Sequence, residues 1–367
     1  MVSISLFSFL KVLEIAHTTR CLPLASLVTP ATLFVLPDYQ TASTESNVTS
    51  LDMYSNIEQA KQFTYTVNST ESGDALFLGP RTIVSRLSSA TATQGQILPI
   101  SAPYLNSTYP VQFHGPAVQC QPPNSTIVAI IDYFRNQSVA NFSLNPVENI
   151  NYYFAFVPNL IDFQEGPPPN GVQWGDQIRL QQPSNASNEL WMVYSRYSYD
   201  SEGNRSVVDQ YTSCQLYNAS YNVQLTFLDG NQTFNTTTAQ LLNRVDYPLD
   251  NEPESADLMI QHAYSAVMWA LTDLLVGSMG LFTEYSANNS ITQFSEITTQ
   301  IEHTSLLGSS DLDVFFDASH FLYSESTETS GQRQMDIDLA GNRTLDVLIP
   351  ELAFNTTLSF LSNVLMS

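Results

Sequence analysis

Asp311, Asp313, Asp317 and His320 are the nearest thing to a catalytic constellation in this 367-residue sequence. If residues 308–324 run as a strand, Asp311 and Asp313 stand on one face, because strand side chains alternate with period two. Two carboxylates so placed suit divalent-cation binding or the paired acid and base work of a glycosidase. The competing reading is a solvated acidic face, and in a chain with 35 acidic and 12 basic residues that is the expectation. His262 falls in an apolar helical segment and reads as a satisfied core histidine. The other histidines, His17, His114, His303 and His320, lack metal-ligand spacing. The sequence holds no nucleophile elbow, H-E-x-x-H, phosphate loop, dinucleotide fingerprint or calcium loop. No catalytic residue, metal ligand or cofactor is nominated; whether the chain is an enzyme stays open, and the missing motifs weigh against it.

The asparagines carry more information. Fourteen stand in Asn-x-Ser/Thr triplets: Asn47, Asn68, Asn106, Asn124, Asn136, Asn141, Asn185, Asn204, Asn218, Asn231, Asn235, Asn288, Asn342 and Asn355. With 26 asparagines in the chain and serine plus threonine at about a fifth of it, chance would give roughly five. The excess points to glycosylation in the secretory lumen, and each occupied asparagine is expected on the outward-facing surface. Cysteine usage agrees. Cys120 and Cys214 are the two cysteines in the body of the chain, and in an oxidising lumen they are expected to pair. For Cys21, palmitoylation, removal with a processed leader and an intermolecular bridge all stay open.

Charge bounds the partners. The formal net charge is −23, with only two lysines, Lys11 and Lys61. Such a chain repels phosphate backbones, which argues against nucleic acid, and it suits solubility or a positively charged partner. Twenty Phe and 18 Tyr are ample for a packed core. Residues 1–36 read as an atypical apolar leader or remnant membrane segment, interrupted by Lys11, Glu14, His17 and Arg20 and too proline-broken for a clean span. This leader suggests a shortened form of a chain with preceding membrane helices. Residues 37–367 then form a single glycosylated extracellular domain, with residues 37–60 a polar loop.

Alternation dominates from residue 61. The segments 63–67, 109–120 and 190–199 read as strands, with Phe63, Tyr65 and Val67 on one face of the first. "NYYFAFV" (151–157) is apolar on both faces, as in a buried central strand. In "YNVQLTFLDGNQTF", alternating Tyr221, Val223, Leu225 and Phe227 lead into Asp229-Gly230, a strong two-residue hairpin signal. Sugars on that hairpin would keep its edge from pairing with other chains. The Pro- and Gly-rich stretch 164–177 reads as a loop. Residues 253–277 read as one long buried helix ended by Gly277, and a C-terminal helix is expected to start at Pro350, with Leu358, Leu361 and Leu365 on one face. The fold class is α+β: a predominantly antiparallel sheet with one long buried helix and a C-terminal helix.

"LPLASLVTPATL" (22–33), "VQFHGPAVQC" (111–120), "CQLYNASYNVQLTFLDGNQ" (214–232) and "ELAFNTTLSFLSN" (351–363) resemble a fungal family of uncharacterised membrane proteins. The resemblance covers roughly residues 20 to 365. It implies a glycosylated, disulfide-bonded ectodomain set between membrane helices, and so a location rather than a mechanism. Some relatives carry deformylase labels, yet the H-E-x-x-H motif of such enzymes is absent here. Three functions compete. The first is a cell-surface or secreted glycoprotein with an interaction, sensing or cell-wall role toward a protein or glycan. The second is a secreted carboxylate-dependent hydrolase, and the third a truncated paralogue without function.

Overall fold

In a computed structural model of the chain, the described residues are 50–68, 75–141, 147–158, 187–250, 252–253, 255–285, 291–316 and 327–362. The leader 1–36, the loop 164–177, Asp317, His320, Leu365, Asn47, Asn185 and Asn288 lie outside them. The described residues fall in one unit, Val48–Ser367.

The first element is short. Helix α1 (Ile57–Phe63) starts because Asn56 accepts from the backbone N–H groups of Glu58 and Gln59, satisfying donors that a helix start leaves orphaned. The polar loop expected over 37–60 therefore already turns helical at residue 57. Phe63, expected on a strand face with Tyr65 and Val67, instead closes this helix and buries fully in the core. A hairpin of β1 (Thr64–Asn68) and β2 (Ala75–Pro80) follows, and then helix α2 (Thr82–Gln94), which ends on left-handed Gly95.

The main sheet is antiparallel throughout. Its strands are β3 (Ser107–Gln121), β4 (Val147–Phe156), β5 (Glu189–Tyr199), β6 (Arg205–Leu228), β7 (Asn231–Arg244), β8 (Gly277–Tyr285) and β9 (Ile291–Ile297), in the order β3-β6-β5-β4-β8-β9 with β7 also on β6. The 24-residue β6 organises it. One side pairs with β3 from Ser213 to Phe227; the other pairs first with β5 and then with β7. The hand-over falls at Leu216, whose N–H donates to Asn188 O while its carbonyl accepts from Val245 N–H. Pro110 and Pro116 stand in β3, whose second edge pairs with no other described strand, so their missing N–H groups break no ladder. The β6–β7 turn forms at Asp229 and Gly230, both at positive φ (52° and 81°), as their residue types demand.

Helices cover both faces, which explains why β4 reads as apolar throughout. Tyr153 and Ala155 point to the larger core with Leu190, Met192 and Tyr194 of β5. Tyr152, Phe154 and Phe156 point to the other side, where Ile130, Ile131 and Phe134 of helix α3 (Ser125–Asn141) meet them. Arg135 of α3 fastens that contact through Asp209 at 2.6 Å. On the larger face lies helix α4 (Ala256–Leu275), started by Ser255 whose Oγ accepts from Leu258 N–H. It is apolar nearly all round because α1, α2 and β2 pack on the side turned away from the sheet. The long buried helix is thus a core element. No helix among the described residues is long and apolar enough to cross a membrane.

Further boundaries differ from expectation: α4 ends at Leu275, so Gly277 opens β8 instead of closing the helix. The segment read as a strand over 308–324 is described only up to Phe316, and that part lies in tight 3-10 turns, Ser305–Gly308 and Ser310–Phe316. Gly308 is pressed so close to the Asp336 carbonyl that a Cβ there would clash outright. This contact is invisible to alternation. Helix α5 (Thr327–Ala340) follows, and the C-terminal helix α6 (Leu345–Ser359) starts five residues before Pro350, which sits inside it. There the ring forfeits one intrahelical bond, and burial of Leu348, Ile349, Leu352 and Ala353 outweighs the loss. Leu358 and Leu361 bury together as expected. Helix α6 seats on β3 through Thr357, whose hydroxyl donates to Pro116 O at 2.8 Å beside Tyr221, which donates to the same carbonyl at 2.6 Å. The mixed α+β architecture, its antiparallel sheet, the long buried helix and the C-terminal helix are as the sequence implies.

Candidate binding cleft and the fate of the sequence candidates

The two described members of the reactive cluster, Asp311 and Asp313, separate on folding. In a 3-10 turn the side-chain period is about three rather than two, so Asp311 and Asp313 do not share a face. Asp311 is 2% exposed and accepts from Arg196 Nη1 at 3.1 Å and from the Leu345 backbone N–H at 2.8 Å, capping α6. Asp313 turns to Arg333, 2.6 Å away, whose guanidinium also lies over the Phe316 ring. Burial pushes the Asp313 carboxyl up from its ordinary range, and Arg333 opposes the shift. Both carboxylates are held by arginines in structural roles. No group of three or more His, Cys, Asp or Glu able to hold a metal occurs among the described residues.

Cys120 and Cys214 form a disulfide, directly opposite in the β3–β6 register. The sugar acceptors divide. Asn106, Asn124, Asn136, Asn204, Asn231 and Asn342 are exposed. Asn68, Asn141 and Asn235 lie in elements whose side chains at those positions are outside the described set. Asn218 and Asn355 contradict the expectation that every acceptor marks surface. Asn218 is 3% exposed on β6 and its Oδ1 accepts from Tyr264 OH at 2.8 Å. Asn355 is buried on α6, with both following threonines fully inside. A triplet says nothing of which face its strand or helix turns inward, and here packing turns both asparagines inward.

Asn218 lies at an open cleft of about 710 Å³. One wall is the α4 stripe Asp257, Ile260, Gln261 and Tyr264, residues spaced to share a helix face. The opposite wall is the segment 243–250 that leaves β7, and Tyr54 also lines the space. Asp246, Asp250 and Asp257 line it against a single cation, Arg244. That arginine is anchored from behind: Nη2 reaches Glu189 at 2.7 Å and Nε reaches Asp246 at 2.7 Å. Glu189 is buried but also accepts from Trp191 Nε1 at 2.7 Å, so its charge is compensated. Sequence reasoning missed this group because Glu189 and Arg244 stand 55 residues apart along the chain and meet only where β5 and β7 both abut β6.

His262 sits behind the cleft. Its ring is fully buried, stacked near Phe77 at 4.4 Å and edge-on to Tyr247. Nε2 lies 2.9 Å from Asp250 O, which accepts its proton, while Nδ1 has no partner among the described residues. The sequence reading of a core histidine holds in burial, but only one ring nitrogen is satisfied. Burial lowers its pKa below the ordinary 6.5, against the opposing pull of Asp250. A depressed folded pKa gives stability that is present above 6.5 and is lost as pH falls below it toward the folded value. Acidification through that window is therefore expected to lower Tm more in the wild-type chain than in His262→Gln, which keeps a donor for Asp250 O but cannot titrate. One proton limits the slope to about 1.4 kcal/mol per pH unit. Thermal melts of both proteins from pH 7.5 to 5 check this, and parallel curves would refute it.

Comparison with family models, with curated proteins and with solved structures finds no match for this chain.

Proposed function

We propose that this chain is the glycosylated, disulfide-bonded domain of a cell-surface or secreted protein of the fungal membrane-protein family its motifs resemble, working as a binding module rather than an enzyme. The observation that carries the reading is the Cys120–Cys214 bridge in a sheet whose strand ends carry exposed acceptors, with Asn106 just before β3, Asn204 just before β6 and Asn231 opening β7. A buried structural disulfide and an excess of sugar acceptors both belong to the secretory lumen. The binding role rests on the cleft at Asn218. Its carboxylates outnumber its one arginine, and that arginine is already paired, so it favours a ligand bearing positive charge. The hydrolase reading loses support because Asp311 and Asp313 are each engaged by an arginine.

Expression of the full chain in a glycosylating yeast host, followed by glycopeptide mapping, tests the compartment. Sugar is expected on the exposed acceptors and absent from Asn218 and Asn355, since a glycan at either would prevent the packing around it. A chain bare at every acceptor would overturn the reading.

A further inference from the structure

Three large apolar side chains stand in the solvent at one end of the sheet. Tyr104, Leu105 and Leu228 are 53%, 71% and 61% exposed. Their backbone is nonetheless fixed. Residues 104–106 fold over the β6–β7 turn, where Gly230 N–H donates to Leu105 O at 2.9 Å and Asp229 N–H donates to the Asn106 side-chain Oδ1 at 2.8 Å. Ser107 Oγ closes the bend by donating to Tyr104 O at 3.1 Å, and Leu105 reaches over Gly230. Apolar groups so exposed on an ordered apex mark something that covers them.

The covering group is indicated by what the apex holds. With its oxygen committed to Asp229, the Asn106 amide cannot rotate freely. Its nitrogen, the atom that takes a sugar, makes no hydrogen bond among the described residues. The exposed acceptor Asn204 differs, since its amide nitrogen donates to Asp200 at 2.9 Å. Tyr104 precedes Asn106 by two residues on the same bend, and a second exposed acceptor, Asn231, follows the turn. A pyranose has an apolar C–H face that stacks on an aromatic ring, as apolar surface in general leaves water for such a ring. We infer that Asn106 carries an N-linked glycan whose first N-acetylglucosamine packs on the Tyr104 ring and shields Leu105 and Leu228, so that the sugar acts as a structural part of the apex. This rests on the proposed lumenal location and adds an intramolecular role for one particular sugar.

The test uses the full chain from the glycosylating host. Glycopeptide mapping is expected to find Asn106 occupied. Tyr104→Ala is then expected to lower Tm by about 1–2 °C, and Tyr104→Phe to leave it unchanged. In an Asn106→Gln background the Tyr104→Ala shift should vanish. Trimming the glycan to its first sugar with an endoglycosidase should preserve the shift in the otherwise wild-type chain. Equal Tyr104→Ala shifts with and without the Asn106 acceptor would overturn the packing. Asn106 bare while Asn124 or Asn136 is occupied would overturn it too and leave the lumenal reading standing. Sugar on no acceptor at all would overturn both.

Discussion

Replacing Cys120 and Cys214 together by alanine is expected to remove about 2–5 kcal/mol of stability. The bridge spans a sequence separation of 94 residues, and in the chain-entropy model closing so long a loop restricts the unfolded state by about 4–5 kcal/mol. The loop encloses α3, β4 and β5, so the constraint ties the central strands to the β3–β6 pair before any packing forms. Truncation adds a second loss. Cys214 is fully buried, and beside it a small apolar space is lined by Val118, Leu190, Met268 and Leu271, so removing sulfur enlarges a void. Urea unfolding of wild type and double variant measures the change. Reductant should shift the wild-type midpoint toward that of the variant and leave the variant where it is. Equal midpoints in oxidised protein would show that the bridge contributes nothing to the fold.

Asp311→Ala is the next largest effect, at about 2–4 kcal/mol. One oxygen of this carboxylate compensates Arg196, whose Nε is already buried without a partner among the described residues; the other caps the first turn of α6 at Leu345. Alanine leaves the guanidinium short of its counter-charge and the Leu345 N–H without an acceptor. Helix α6 carries much of the core on β3, so loosening its first turn spreads. Asp311→Asn keeps an acceptor for Leu345 but gives up the charge, and about half the loss is expected. Chemical denaturation of the three proteins gives the order wild type, Asn, Ala. An alanine variant as stable as the wild type would mean that the cap and pair are incidental.

Both predictions concern residues named from the sequence, yet for different reasons. Cys120 and Cys214 were legible as a pair because cysteine chemistry leaves few options in an oxidising compartment. Asp311 was noticed as half of a reactive pair and turned out to be a cap. The alternation that suggested a shared face assumed a strand, whereas the chain makes a tighter 3-10 turn at Ser310–Phe316, just after Gly308 packs against the Asp336 carbonyl. The cleft was not legible at all, because Tyr54, Asn218, Arg244 and Tyr264 come from four separate elements. Asn218 was read as surface from its triplet while the Tyr264 hydroxyl that claims it lies 46 residues away.

Local rules in the sequence determined the elements whose causes are themselves local. Asp229 and Gly230 fixed the hairpin because both accept positive φ, the apolar run after Pro253 marked α4, and the two-sided apolar pattern of 151–157 fixed a strand covered on both faces. The charge balance and the asparagine triplets are equally independent of folding, and they support the proposal made above for compartment and ligand charge. Tertiary structure alone decided which acceptors face water, which carboxylates are spent on arginines and where a cleft opens. Those outcomes depend on groups brought together across the long β6 strand, and no periodicity in the chain records a contact between residues so far apart.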